Sequence, residues 1–214
     1  MNRSLRAFFG LKVSLYLLVS TPFLLAGCSG PRTFPSLAQY VAYINDPANG
    51  LVQVKETAGW RVTVKFLPPA YQAYLDASKS NSRVTDSLVN LYQSSPTFQV
   101  IVQPASKQVP LTSLLHRQAQ SQADITQNIN TLYYGMEPLV ALTGSKPVLS
   151  TLESTVEMDQ KLSFLFVFTP KGKTSIYAQQ QAVFELKQNF FLPEGLAFAF
   201  ASKELKNAPL LSIQ

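Results

Sequence analysis

The amino-acid sequence predicts an α+β fold with an antiparallel β-sheet or small sandwich in its C-terminal half and helices packed on it. Apolar residues recur at helical spacing in four segments, all before residue 135. Eight short segments carry strand-like patterns, and five of these follow residue 137. The 214 residues are 46% hydrophobic and 14% charged, a composition that supports one ordered domain.

The first half of the chain predicts helices and a hairpin in turn. A helix over residues 36–44 has Ser36 as its N-cap and apolar residues at i, i+3, i+4 and i+7. The segments 51–57 and 60–67 flank Ala58 and Gly59, which is typical of a β-hairpin. The remaining elements of this half are helices over 70–76 and 85–93 and a strand over 97–103.

Residues 111–134 carry a helical stripe with two glutamines, Gln118 and Gln122, in its middle. The favoured interpretation is two short helices, or one helix with a polar centre. The alternative is a helix that binds a partner and whose buried glutamines fix its register.

The second half is predicted to be strands, and the run from Leu162 to Phe168 is apolar on both faces, as expected of a central strand. The predicted strands span 139–142, 148–156, 162–169, 182–190 and 196–201.

Residues 1–27 have the pattern of a signal peptide. Arg3, Arg6 and Lys12 precede a 14-residue apolar run over 13–26, which is too short to span a bilayer. Removing this segment lowers the net charge from +6 to +3. The remaining cations are dispersed, so the sequence does not indicate nucleic-acid binding.

The residues Leu25, Ala26, Gly27 and Cys28 end this segment and resemble the lipobox of bacterial lipoproteins. The resemblance implies that Cys28, the only cysteine, becomes an acylated first residue of the mature chain. Two or three acyl chains anchor a protein almost permanently. The predicted organisation is a signal peptide over 1–27, a lipidated flexible tether over 28–35 and a single α+β domain over 36–214.

The segment Tyr43–Val52, the hairpin at Gly59 and the closing segments around Phe164–Phe168 and Phe198–Phe200 resemble uncharacterised lipoproteins of Bacteroidota. The family brings no assigned activity. Ser29 follows Cys28 without an acidic cluster, and this implies an outer-membrane lipoprotein that faces the periplasm rather than the cell surface.

The sequence offers little catalytic chemistry. A Ser/His/Asp or Cys/His system would have to use His116, the only histidine, and Cys28 is expected to be acylated, which removes its thiol. Asp124 follows His116 by eight residues, too far for direct contact in a straight helix. A single histidine also leaves few metal ligands. We interpret His116 as an ordinary helix residue and predict no cofactor.

Three carboxylates, Glu153, Glu157 and Asp159, lie close together before the predicted central strand. Two carboxylates from this group could together hydrolyse a glycosidic bond. The favoured interpretation is that all three lie at a sheet edge exposed to solvent. A periplasmic glycan hydrolase is therefore the alternative function.

Asp86, Ser87 and Leu88 look like a Bacteroidota O-glycosylation site at Ser87. The simpler interpretation is that Thr85 or Asp86 caps the helix that follows.

The favoured function is a non-enzymatic lipoprotein, a structural or binding component of the cell envelope, held by membrane lipid at Cys28 and contacting an envelope protein. It predicts an uncovered apolar or aromatic patch, whereas a hydrolase predicts convergent carboxylates in a deep cleft.

Overall fold

The computed structural model describes residues 31–117, 121–134, 136–153, 160–169, 175–189 and 192–212. These residues form an α+β fold with antiparallel sheets, so the predicted fold class is confirmed. The helices are α1 (Leu37–Asn45), α2 (Pro69–Lys79), α3 (Asp86–Ser94), α4 (Leu111–Arg117), α5 (Gln122–Tyr134) and α6 (Ser202–Lys206). The strands are β1 (Thr33–Phe34), β2 (Val52–Thr57), β3 (Trp60–Leu67), β4 (Thr97–Pro104), β5 (Val140–Leu142), β6 (Leu149–Glu153), β7 (Leu162–Val167), β8 (Gln181–Leu186), β9 (Leu196–Ala201) and β10 (Leu210–Leu211).

The larger sheet has five antiparallel strands in the order β2-β3-β4-β7-β6. It begins with the β2–β3 hairpin, where Ala58 (φ 48°) and Gly59 (φ 82°) both have positive φ. Two such residues form the type I′ turn, whose twist matches that of the flanking strands. The strict alternation in β3 then directs Trp60, Val62, Val64 and Phe66 to one buried face.

A second sheet, in the order β5-β8-β9, packs on that buried face. Its inward-facing rings meet Phe98 of β4: the ring centroid of Phe98 lies 5.3 Å from that of Phe184 and 5.4 Å from that of Phe200. The core is therefore the space between two sheets, as in a β-sandwich.

Helices close the ends and part of one side of this sandwich. Ser36 caps α1 as predicted, because its side chain accepts a hydrogen bond from the Gln39 amide. Helices α2 and α3 pack against each other, and the Tyr92 hydroxyl donates a hydrogen bond to Asp76. In α4, Leu111, Leu114 and Leu115 are buried in the same core as Trp60.

Most predicted elements agree with the structure, and two predictions do not. The large sheet takes three strands from before residue 105, so it is not confined to the C-terminal half. The stripe over 111–134 forms two helices, α4 and α5, in agreement with the favoured interpretation. In α5, Gln122 is exposed, and Gln118 lies outside the described residues, so the partner-binding alternative stays a prediction.

The second difference concerns the predicted flexible tether over 28–35, which is wrong at its C-terminal end. Thr33 and Phe34 form β1, which pairs in parallel with Leu210 and Leu211 of β10. The Leu210 and Ser212 amides donate hydrogen bonds to the Arg32 and Phe34 carbonyl oxygens, at 2.8 and 3.0 Å. The ordered fold therefore includes Thr33, because its strand partner lies at the other end of the sequence.

Candidate functional site

Among the described residues, no second sheet packs on the face of the large sheet that is turned away from the core. We call this face the outer face. Strand register arranges its side chains in two rows that cross all five strands. One row is Val54, Thr63, Ile101, Ser163 and Glu153, and the other is Val52, Lys65, Gln99, Leu165 and Thr151.

The outer face is buried at Lys65, Val52 and Ser163, whereas its other positions are exposed or half-buried. Lys65 is only 8% exposed, because Asn45 of α1 and Tyr71 of α2 lie against its side chain. At the two edges of the sheet, by contrast, Val54 is 38% and Leu149 54% exposed. Aliphatic side chains between those edges, Ile101, Leu165 and Val167, are half-buried. The result is a mixed surface, in which exposed or half-buried aliphatic side chains alternate with polar ones such as Thr63, Ser163 and Thr151.

A group of hydrogen-bonded side chains lies in the middle of this surface. The Glu153 carboxylate accepts hydrogen bonds from Gln99 Nε2, at 2.7 Å, and from the Ser163 hydroxyl. Gln99 Nε2 also lies 3.1 Å from Ser163 Oγ. We call these three residues, together with Lys65 and Tyr71, the polar cluster.

Lys65 anchors the covered side of the polar cluster. Its Nζ donates a hydrogen bond of 2.6 Å to Asn45 Oδ1 and lies 5.6 Å from the centroid of the Tyr71 ring. Burial lowers the pKa of Lys65 from 10.5 to about 8, and the negative charge of Glu153 opposes that shift. Burial also raises the pKa of Tyr71, and Glu153 adds to this rise. Both effects indicate that Glu153 acts electrostatically across the cluster.

The geometry of the polar cluster suits binding better than nucleophilic chemistry. Ser163 is only 2% exposed and its hydroxyl already donates to Glu153, so a substrate carbonyl cannot reach its oxygen. The Lys65 amine is buried under Asn45 and Tyr71 in the same way. Half-buried Glu153 remains able to accept a further hydrogen bond from a ligand, since a carboxylate has about four acceptor sites.

A separate groove of about 600 Å³ opens where β4 ends and β7 begins. Its described lining consists of amide, ammonium and apolar side chains without a carboxylate, including Gln103, Gln108, Lys107 and Lys161. Asp159 directly precedes Gln160 of this lining in the sequence and falls outside the described residues, so the hydrolase alternative stays a prediction.

The structure locates some of the site residues predicted from the sequence. Glu153 lies in the polar cluster, whereas Glu157 and Asp159 fall outside the described residues, so the proposed carboxylate pairing stays a prediction. Cys28 also lies outside them. His116 is exposed on α4.

Ser87 is exposed in the first turn of α3, as a modified residue would have to be. Thr85 Oγ1 accepts a hydrogen bond of 3.3 Å from the Leu88 amide, so Thr85 is the N-cap of this helix. The cap explains why the motif lies at a helix start, and glycosylation of Ser87 stays a prediction.

Within the ranges given above, no three or more His, Cys, Asp or Glu side chains are grouped so that they could hold a metal ion. In the same ranges, no helix has the length and apolar character needed to cross a membrane.

Sequence reasoning missed the other members of the polar cluster. Lys65 occupies a strand position that alternation assigns to solvent, and nothing local shows that α1 and α2 cover it. Ser163 is the one polar residue in the apolar run 162–168, which was a usable signal. A buried hydroxyl in such a run needs a hydrogen-bond partner, and Glu153 on the next strand supplies it.

The chain matches no protein-family model, no curated protein and no solved structure.

Proposed function

We propose that this protein is a lipid-anchored, non-enzymatic component of a bacterial cell envelope, acylated at Cys28, which binds a protein partner through the outer face of its large sheet. The observation that carries the binding role is the exposure of two large aliphatic side chains, Val54 and Leu149, at the two edges of the outer face. The lipobox-like residues 25–28 carry the anchoring role.

The composition of the outer face supports docking. Contiguous exposed apolar surface on a monomer is usually a contact surface for another molecule. Ile101, Leu165 and Val167 give this face an aliphatic centre. The polar cluster beside them gives fixed directions for hydrogen bonds, with Glu153 as acceptor. A protein interface combines these two features, an apolar centre and a few oriented polar groups.

The proposed location is the periplasmic face of the outer membrane. It rests on Ser29 following Cys28 and on the lack of an acidic cluster in the next residues of the sequence.

Site-specific photo-crosslinking in intact cells tests the binding role. The crosslinker is introduced at Thr151, which is exposed on the outer face, and at Glu185, which is exposed on β8 of the second sheet. We expect a reproducible envelope protein crosslinked from position 151, absent from position 185 and lost when Leu149→Asp places a charge on the outer face.

The same crosslinks from both positions would contradict docking on the outer face. If instead the purified protein released fragments from envelope glycans, and Glu153→Gln abolished this release, the hydrolase alternative would replace the binding role.

A further inference from the structure

We propose that the edge of the domain formed by β1 and β10 rests on the bilayer, with the Leu210 side chain in the interfacial region. This inference depends on the proposed acylation of Cys28. It assigns a second contact surface, distinct from the outer face.

The length of chain between the lipid and the fold limits where the domain can lie. Five residues lead from Cys28 to Thr33, the first residue of β1. Fully extended chain spans at most about 3.6 Å per residue, so Thr33 lies within about 18 Å of the lipidated residue. Thr33 pairs directly with Leu210, so the same limit brings Leu210 close to the headgroups.

The β1–β10 edge exposes a large aliphatic side chain, Leu210. Leu210 is 43% exposed although it is a large aliphatic residue in a strand. A small cleft of about 80 Å³ opens beside it, and Ala70, Val89 and Leu205 contribute to its walls. Exposed aliphatic groups next to a lipid anchor can bury their surface among headgroups and the first methylenes, at about 25 cal/mol per Å².

Cations lie close to this exposed aliphatic side chain. Lys206 lines the cleft and is exposed. Arg32 is exposed too, and its carbonyl oxygen accepts the hydrogen bond from the Leu210 amide at 2.8 Å. Ammonium and guanidinium groups at the surface of anionic lipid contribute about 1 kcal/mol each. Charge and apolar exposure therefore both match a bilayer surface.

Val54 provides a matched control, because it is also an aliphatic strand residue with similar exposure, 38%. It lies on the outer face of the large sheet, where it pairs with Thr63, whereas Leu210 belongs to the separate β1–β10 pair. A membrane contact at the β1–β10 edge predicts that position 54 stays in water while position 210 does not.

The test measures the depth of a fluorescent label in the acylated protein. The chain has one cysteine, Cys28, whose thiol the lipid occupies, so Leu210→Cys or Val54→Cys supplies the single reactive thiol. Each labelled protein is reconstituted in vesicles of phosphatidylethanolamine and phosphatidylglycerol that contain nitroxide-bearing lipid. We expect the label at 210 to emit at shorter wavelength and to be quenched at least about two-fold more than the label at 54.

Lys206→Cys is a second label position on the same edge, and it should be quenched more than position 54 as well. Equal quenching at the three positions, or stronger quenching at 54, would overturn the inference while leaving the anchor intact. A chain that fails to incorporate labelled palmitate and does not float with vesicles would instead remove the proposed anchoring, and this inference with it.

Discussion

Replacing Phe166 by alanine should destabilise the protein more than most single substitutions. Phe166 lies in β7, between β4 and β6, and its side chain is completely buried. Its ring centroid lies 6.1 Å from that of Phe184 in the second sheet and 6.2 Å from that of Phe164. The side chain therefore fills the space between the two sheets.

The expected loss follows from burial and from the cavity that alanine leaves. Burying a phenylalanine side chain contributes about 1.5 to 3 kcal/mol, and incomplete collapse of the cavity raises the cost of Phe→Ala to about 3 to 5 kcal/mol. For a domain of this size each kcal/mol lowers the melting temperature by roughly 2 to 4 °C, so a decrease of about 6 to 20 °C is expected.

Leu165→Ala is the matched control, since Leu165 is the preceding residue of the same strand but faces the half-open outer face. It should cost about 1 kcal/mol, because only part of its side chain is buried. Both losses of unfolding free energy can be measured by urea unfolding of chains that begin at Ser29, with the fluorescence of Trp60 as the signal. Equal losses for Phe166→Ala and Leu165→Ala would refute the assignment of the inner and outer faces.

Four further predictions concern other parts of the chain. His116→Ala should change the free energy of unfolding by less than about 0.5 kcal/mol, because the side chain is exposed, and a larger loss in urea unfolding would show that it contributes to packing. Cys28→Ser should release the protein from membranes without unfolding it, and labelled palmitate in this variant would contradict the proposed lipid site. Protease added to intact cells should leave the mature chain intact, whereas its removal would place it on the cell surface. The pKa of Lys65 is about 8 in the folded protein and 10.5 in the unfolded chain. Between pH 8 and pH 10.5 the unfolded chain therefore binds more protons than the folded protein. The free energy of unfolding should therefore rise by up to about 2 kcal/mol from pH 8 to pH 10, and Lys65→Met should abolish this rise.

Local periodicity was sufficient to predict most of the fold. The strand at 196–201 agrees with the structure at both ends, and the hairpin at Ala58 and Gly59 has the positive φ values that a two-residue turn requires. These features depend on residues near each other in sequence. The β1–β10 pair could not be predicted in this way, because two-residue strands carry no period and 177 positions separate Thr33 from Leu210.

The candidate site was harder to predict than the fold for a related reason. Glu153 was singled out because other carboxylates follow it in the sequence, yet its described partners are Gln99 and Ser163 on β4 and β7. The strand order brings these residues together, and no local sequence pattern predicts the order β4-β7-β6. The alternating pattern places Lys65 on the outer face, but only the packing of α1 and α2 accounts for its burial and lowered pKa.

The parallel pairing of β1 with β10 has a mechanical consequence. A protein that is held by the membrane at one point and by a partner at another carries tension whenever the membrane and the partner move apart. With Cys28 acylated as proposed, tension on the anchor would reach the domain at Arg32 and pull along β1. The hydrogen bonds to the Arg32 and Phe34 carbonyl oxygens then share the load in shear, instead of opening one after another. The attachment to the anchor should therefore yield only when both bonds break together.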